Sequence, residues 1–316
     1  MSAVEDRGRL DSRKFQDPFI TQNGEPRAFV ELKSLETLWV NTGTLCNVTC
    51  ANCYIESSPR NDRLAYISHA EVAAYLDEID ADALGTKLIG FTGGEPFMNP
   101  DMLAMLEDTL SRGHHALVLT NAMKPMWHKR NGLLALQQAH GERLVLRISV
   151  DHYTKEVHET ERGPGTWDPM IKGLSWLREH DFTINIAGRN LTGEPEPLLR
   201  DGFARMFQDL DLTLDPRNPV DLVIFPEMDA TADVPEITEA CWGILSVSPD
   251  AQMCASARMV VKRKGAAKPA VVACTLLPYD EQFELGVTLA EADRRVHLNH
   301  PHCARFCVLG GASCGG

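Results

Sequence analysis

Three cysteines lie within one short segment of the chain, Cys46-Asn-Val-Thr-Cys50-Ala-Asn-Cys53-Tyr54. Their spacing is C-x3-C-x2-C, which places three thiolates on one loop. A structural zinc site is closed by four ligands, whereas three thiolates suit a four-iron cluster whose fourth iron stays open. A zinc site completed by a histidine is the alternative for these residues.

A glycine pair follows the next apolar segment, in Phe91-Thr92-Gly93-Gly94-Glu95-Pro96. Together with the cysteine spacing, this motif resembles the radical S-adenosylmethionine (SAM) superfamily. In that family the cysteine loop follows the first strand of a partial (β/α)6 barrel, and a Gly-Gly-Glu-Pro motif ends the second strand. The chain departs from the family pattern at Asn52, where an aromatic residue is usual, and we expect Tyr54 to cover the adenine instead.

The resemblance implies that the three loop cysteines hold a [4Fe-4S] cluster and that SAM binds its fourth iron. Reduction of the cluster then splits SAM into methionine and a 5′-deoxyadenosyl radical, which takes a hydrogen atom from the substrate. Ser149 is placed to hold the ribose hydroxyls and Arg189 to pair with the SAM carboxylate, although Asn121 and Ser149 also suit turn or cap positions. The residues expected to bind SAM are Tyr54, Thr92, Gly93, Gly94, Glu95, Asn121, Ser149 and Arg189.

A second group of cysteines lies toward the carboxyl end of the chain. The segments Met259–Lys264 and Ala270–Ala273 predict a hairpin. Cys254 precedes this hairpin and Cys274 follows it, so both thiols meet at its open end. Cys303 and Cys307 supply a second close pair. Four thiolates suit a second [4Fe-4S] cluster or a zinc ion, and free buried thiols are a third possibility.

This layout resembles the twitch module, a shortened relative of the SPASM extension of many radical SAM enzymes, and both carry auxiliary [4Fe-4S] clusters. Cys314 is an additional candidate ligand, which could replace Cys303 or Cys307. Cys241 is expected to pack as a small buried residue. The alternatives for Cys241 are a hydrogen-atom donor, by resemblance to some radical SAM epimerases, and a further cluster ligand.

Short apolar segments alternate with helical patterns, which predicts parallel βαβ units. The fold class is therefore α/β: a partial (β/α)6 TIM-like barrel of parallel strands over 34–235, with a small cysteine-rich β-hairpin extension over 236–316. Residues 1–33 form a lead-in, expected on the outside of the barrel. The six predicted strands are Thr37–Val40, Lys87–Thr92, Ala116–Thr120, Leu144–Val150, Thr183–Ala187 and Asp221–Phe225. Because reacting groups lie at the carboxyl ends of barrel strands, the motifs should share one edge.

The bulk composition is that of an ordinary globular protein, with 316 residues, 44% hydrophobic and 24% charged. The net charge of -13 argues against nucleic acid or an anionic membrane as partner. No apolar stretch approaches the ~20 residues of a membrane span, and no signal peptide is evident. We expect a cytoplasmic protein, whose nine cysteines serve metal binding or catalysis rather than disulfides.

The sequence thus predicts a radical SAM enzyme of the oxidoreductase or isomerase type. The preferred substrate is a small molecule, such as a sugar or alcohol that is oxidised or epimerised. The first alternative is a maturase that modifies a ribosomally made peptide. An alternative of a different class is a non-catalytic iron-sulfur or zinc protein. The resemblance also implies an electron donor such as flavodoxin or ferredoxin.

Overall fold

The structure is a computed structural model that describes residues 8–226 and 229–310. Six parallel strands form the inner wall of the barrel. These strands, β2 to β7, neighbour one another in chain order and confirm the predicted partial barrel. Their ends differ from the predicted ones by one or two residues. The strands are β1 (Phe29–Val30), β2 (Thr37–Asn41), β3 (Leu88–Thr92), β4 (His115–Thr120), β5 (Leu144–Asp151), β6 (Thr183–Arg189), β7 (Leu222–Phe225), β8 (Ala257–Val261), β9 (Ala270–Val272), β10 (Glu284–Gly286) and β11 (Val296–His297).

Helices between the strands cover the outer face of the sheet. Alternate strand residues face these helices, and among them Phe91, Ile148 and Ile186 are fully buried. A capping box of Ser68 and Glu71 opens the first helix, with each side chain accepting a hydrogen bond from the other residue's backbone N–H. The helices are α1 (His69–Ala81), α2 (Met102–Ser111), α3 (Lys124–His140), α4 (Lys155–Arg162), α5 (Trp167–Glu179), α6 (Glu196–Asp209) and α7 (Cys241–Leu245).

The carboxyl-terminal hairpin continues the barrel sheet. Strand β8 pairs in parallel with β2, aligning Met259 with Trp39, and β9 and β10 follow as antiparallel neighbours. All five residues of β8 are buried, which is typical of a strand with a neighbour on each side and cover on both faces. The hairpin was predicted, but its pairing with the first barrel strand was not.

The described part of the amino-terminal lead-in, residues 8–33, contacts the extension and the segment before it. Strand β1 pairs with β11, and the backbone N–H of Leu10 donates to the Thr231 carbonyl oxygen. Arg27 is fully buried and forms an ion pair with Glu236. The domain boundaries near residues 33 and 235 stay predictions, because one sheet runs across the second of them.

None of the helices in the described part of the chain combines the length and the apolar character that a bilayer crossing demands.

Candidate active site

The three cysteines of the C-x3-C-x2-C segment line one cleft at the carboxyl edge of the barrel. Cys46 is buried, Cys50 and Cys53 are half-buried, and all three are free thiols. The base of the loop is closed by a hydrogen bond of 3.1 Å from the Cys46 N–H to the Ser58 carbonyl oxygen. The backbone N–H of Ser57 donates to Cys53 Sγ at 3.3 Å. The three thiols therefore share one cleft and one closed loop.

Burial raises the pKa of Cys46 to about 12 and that of Cys50 to about 11, so thiolates here require a compensating positive charge. The Arg162 guanidinium lowers the pKa of Cys50, whereas the Asp151 carboxylate with which Arg162 pairs raises it. Across residues 8–226 and 229–310, no three His, Cys, Asp or Glu side chains converge on a point that could hold a single metal ion. The cysteines of a four-iron cluster each bind a different iron, so this donor set fits a [4Fe-4S] cluster.

The glycine pair after β3 is required by the backbone of the cysteine loop. A Cβ on Gly93 would lie 2.5 Å from the Gly43 carbonyl oxygen, and the φ of Gly93 is +133°. A Cβ on Gly94 would overlap the Leu45 carbonyl group, which directly precedes the first cysteine. Hydrogen bonds run from the Gly94 N–H to Gly43 at 2.8 Å and from the Glu95 N–H to Leu45 at 3.1 Å. The glycines thus position the cysteine loop against the second strand.

Glu95 joins the ends of β3 and β4. It is 1% exposed, and its carboxylate accepts hydrogen bonds from Thr120 Oγ1 at 2.8 Å, the Asn121 N–H at 2.9 Å and the Phe97 N–H at 3.2 Å. Burial raises the pKa of this carboxyl to about 7, against the lowering effect of the hydrogen bonds from Asn121 and Thr120. Both oxygens therefore hold the edge of the cleft, and a direct contact between Glu95 and SAM stays a prediction.

Two acid–base pairs beside the cysteine loop were not predicted. Arg162, at the end of α4, pairs with Asp151 at 2.6 Å, and Arg189 pairs with Glu161 at 2.6 Å. Glu161 also accepts a hydrogen bond of 2.9 Å from the Asn52 N–H, so it fixes the loop before its third cysteine. Helix α4 was not predicted, because its sequence is too polar to show an apolar periodicity. Its basic last turn followed by glycine is nevertheless a signal for the end of a helix.

Seven of the eight residues predicted to bind SAM line the cleft, whose empty volume, counted to its open mouth, is about 1240 Å³. Tyr54 is 41% exposed at this cleft. The Asn121 Nδ2 donates to Asn47 Oδ1 at 2.9 Å, so this side chain also braces the cysteine loop. Their roles toward SAM stay predictions. The seven are Tyr54, Thr92, Gly93, Gly94, Asn121, Ser149 and Arg189.

Four carboxyl-terminal cysteines surround a second, smaller cavity of about 350 Å³ empty volume: Cys254, Cys274, Cys303 and Cys307. Burial raises the pKa of Cys254 to about 11. Burial also raises the pKa of Cys303, and the negative charges of the other three thiolates add to that rise. The four cysteines thus line one small cavity. The donor set fits a second cluster, because its iron would supply the positive charge that four thiolates need.

The two cavities share a wall. Cys274 and Leu277 line the small cavity, while Thr275 and Leu276 between them line the main cleft. A second segment repeats the pattern, since Cys303 and Cys307 line the small cavity and Phe306 lines the main cleft. The two predicted sites are therefore separated by a wall one residue thick, which consists of Thr275, Leu276 and Phe306.

Cys241 is not among the residues lining either cavity. It is half-buried at the start of α7, where its sulfur accepts a hydrogen bond of 3.4 Å from the Thr238 N–H. This placement suits packing, which was the expected role, while the donor and ligand alternatives for Cys241 stay untested. Cys314 lies outside the described residues. His300 and His302 pack edge to face next to Cys303, and burial lowers the pKa of both.

Residues 40–199, which are 160 of the 316 in the chain, match the family model described as the radical SAM superfamily. The antilisterial bacteriocin subtilosin biosynthesis protein AlbA of Bacillus subtilis is 29% identical over 143 residues, covering 45% of this chain and 30% of AlbA. An AdoMet-dependent heme synthase of Methanosarcina barkeri is 24% identical over 144 residues, covering 45% of this chain and 38% of the synthase.

Among solved structures, Streptococcus suis SuiB bound to its precursor peptide SuiA superposes with a TM-score of 0.59 at 13% identity, covering 81% of this chain and 63% of SuiB. At this identity the match supports the fold alone. The chain spans about a third of the length of the curated relatives it matches. Radical SAM proteins use a [4Fe-4S] cluster and SAM, for which the first cleft has the donor set. With the family model covering just over half of its length, this chain belongs to the radical SAM superfamily.

Proposed function

We propose that this enzyme takes a hydrogen atom from an amino-acid residue of a peptide and that the net reaction is an oxidation. The observation that carries the proposal is the shared wall of Thr275, Leu276 and Phe306, which separates the cleft from the four-cysteine cavity. A substrate in the cleft lies against this wall. A second [4Fe-4S] cluster held by Cys254, Cys274, Cys303 and Cys307 would then lie within short electron-transfer reach of the substrate.

When bound, the clusters supply electron transfer: the first reduces SAM to methionine and a 5′-deoxyadenosyl radical, and the second accepts an electron. The protein binds, orients and excludes water. Cys46, Cys50 and Cys53 hold the first cluster, and the carboxylate of Glu161 keeps their loop in place. The remaining SAM contacts fall to the seven cleft residues and to Glu95. Asp151 already neutralises Arg162, so Arg189 is the arginine that would pair with the SAM carboxylate. The SAM carboxylate would then compete with Glu161 for the Arg189 guanidinium.

The chemistry of the cleft favours a peptide side chain over a sugar. Phe225, Leu276 and Phe306 form an apolar side of the cleft, and the rings of Phe225 and Phe306 stack at 6.2 Å. A sugar hydroxyl buried against this side would lose its hydrogen bonds to water without replacement. An apolar or aromatic amino-acid side chain would gain from the same burial.

The names of two relatives also support a peptide substrate. AlbA is named for the biosynthesis of a bacteriocin, and SuiB was solved with a precursor peptide. The heme synthase supports the small-molecule interpretation. The peptide alternative therefore has more support than the sugar or alcohol preferred from sequence. The oxygen-sensitive clusters and the need for an electron donor such as flavodoxin or ferredoxin fit a cytoplasmic location.

The test is isotope transfer. We expect the anaerobically reconstituted and reduced enzyme to form 5′-deoxyadenosine from SAM, and candidate peptides with deuterated apolar residues to transfer deuterium into that product. Precursor peptides encoded beside the gene are the first candidates, and deuterated sugars and alcohols are the matched controls. Deuterium arriving from a sugar or alcohol, with none from peptides, would restore the small-molecule interpretation. Absence of 5′-deoxyadenosine under all conditions would contradict the proposal that this protein cleaves SAM.

The second cluster is tested by iron content. We expect about eight irons in the reconstituted protein, because two four-iron sites are present, and about four when Cys46, Cys50 and Cys53 are all replaced by alanine. Iron and sulfide analysis with electron paramagnetic resonance measures both values. Retention of zinc, or loss of all iron, in the triple variant would show that the extension does not hold an iron-sulfur cluster.

A further inference from the structure

Arg258 is a fully buried cation beside the four-cysteine cavity. It lies in β8 and is 1% exposed, and its guanidinium donates hydrogen bonds to backbone carbonyl oxygens. The Nη1 donates to Cys254 at 2.6 Å and to Ala257 at 2.8 Å, Nε donates to Ala292 at 3.0 Å, and Nη2 donates to Arg294 at 3.0 Å. One of the four carbonyls thus belongs to a cysteine of the cavity.

The guanidinium makes no ion pair with a carboxylate within residues 8–226 and 229–310. Two other arginines differ in this respect, since the buried Arg27 pairs with Glu236 and the half-buried Arg162 pairs with Asp151. Burying a charge without an opposite charge costs several kcal/mol, which carbonyl dipoles offset only in part. The Arg258 charge is therefore buried without a carboxylate in contact with it.

The groups that face Arg258 electrostatically are Cys254, Cys274 and Asp293. Burial lowers the pKa of Arg258, and these three groups oppose that lowering. Asp293 is exposed, so solvent screens its charge. The Cys254 carbonyl oxygen accepts from Arg258 Nη1 at 2.6 Å, so the guanidinium lies against the residue that supplies one of the four thiols of the cavity.

We propose that Arg258 is the counter-charge of the second iron-sulfur cluster, raising its reduction potential and favouring its assembly. This inference rests on the proposed second cluster. A four-iron cluster with four thiolates is negatively charged in both oxidation states, and more so when reduced. A fixed positive charge in a low-dielectric site stabilises the reduced form more, and so raises the potential. A higher potential makes the cluster a better acceptor for an electron leaving the substrate.

The experiment uses the full chain with Cys46, Cys50 and Cys53 replaced by alanine, so that only the second cluster is observed. In this background Arg258→Gln removes the charge but keeps hydrogen-bond donors, and Arg258→Lys keeps the charge. The matched control is Arg200→Gln, because Arg200 also donates to backbone carbonyls, those of Pro216 and Leu222, on the barrel side of the molecule. The measurements are the midpoint potential by redox titration and the iron content.

We expect Arg258→Gln to have a lower midpoint potential than the background, or to lose its iron, while Arg258→Lys and Arg200→Gln keep the potential and iron of the background. A potential of Arg258→Gln equal to that of the background overturns the inference. Loss of iron in both Arg258 variants also overturns it, because the side chain then acts only by its carbonyl hydrogen bonds. Absence of a cluster in the background itself instead refutes the second cluster, so the two failures are distinguishable.

Discussion

Replacing any one of Cys46, Cys50 and Cys53 by alanine is expected to abolish SAM cleavage. Each thiolate of a three-cysteine site binds its own iron, and no fourth cysteine of the described chain lines this cleft. The cleft already opposes negative charge, since burial raises the pKa of Cys46 to about 12. A cluster lacking one ligand therefore has neither a spare thiol nor a favourable environment for a substitute.

The measurement is 5′-deoxyadenosine formed by the reduced, reconstituted variant, by chromatography. Cys241→Ala is the matched control, because Cys241 is also a half-buried cysteine but does not line either cavity. We expect this control to keep full iron content and SAM cleavage. If Cys46→Ala, Cys50→Ala or Cys53→Ala still forms 5′-deoxyadenosine at the rate of the unchanged protein, the assignment of the first cluster is wrong.

The barrel was predictable because its signals are local. Buried parallel strands are short apolar segments such as Leu144–Val150, and their polar ends fall at one edge whatever the details of packing. The cysteine spacing and the Thr92–Pro96 motif lie on that edge for the same reason. These features depend on a few consecutive residues, so neither pairing partners nor burial had to be known.

What the sequence did not reveal depends on contacts between distant residues. Glu161 and Arg162 belong to a helix with too few apolar residues to show a periodic pattern. Glu161 is buried and Arg162 is half-buried, and Arg189 and Asp151 neutralise their charges. The parallel pairing of β8 with β2 joins strands at opposite ends of the chain. A short strand that is mostly apolar can pair with any exposed edge, so its sequence does not specify the partner.

The interpretation of the glycine pair changed for a related reason. From sequence, Gly93 and Gly94 are expected to bind SAM. In the structure, the missing side chains make room for the Gly43 and Leu45 carbonyl groups of the cysteine loop. The motif therefore carries information about how two loops fit together, which only the structure shows, and its role toward SAM stays a prediction.

That close fit makes Gly94→Ala a sharp test of how the cluster site is built. The added Cβ would lie 2.6 Å from the Leu45 carbonyl carbon and 2.8 Å from the Thr44 carbonyl oxygen, both of them backbone atoms that cannot rotate away. The strain of such overpacking is about 1–3 kcal/mol, and relieving it moves the residue that precedes Cys46. We expect the first cluster to be lost or poorly formed while the second cluster stays.

The expected readout is iron content falling from about eight toward about four, with 5′-deoxyadenosine formation reduced by at least about tenfold, since one four-iron site is lost. Gly243→Ala is the matched control, because its Cβ would meet no atom within 4 Å. A Gly94→Ala protein that keeps all its iron and its rate of SAM cleavage would show that the cysteine loop tolerates displacement. The tight backbone contact between the two motifs would then have no role in holding the cluster.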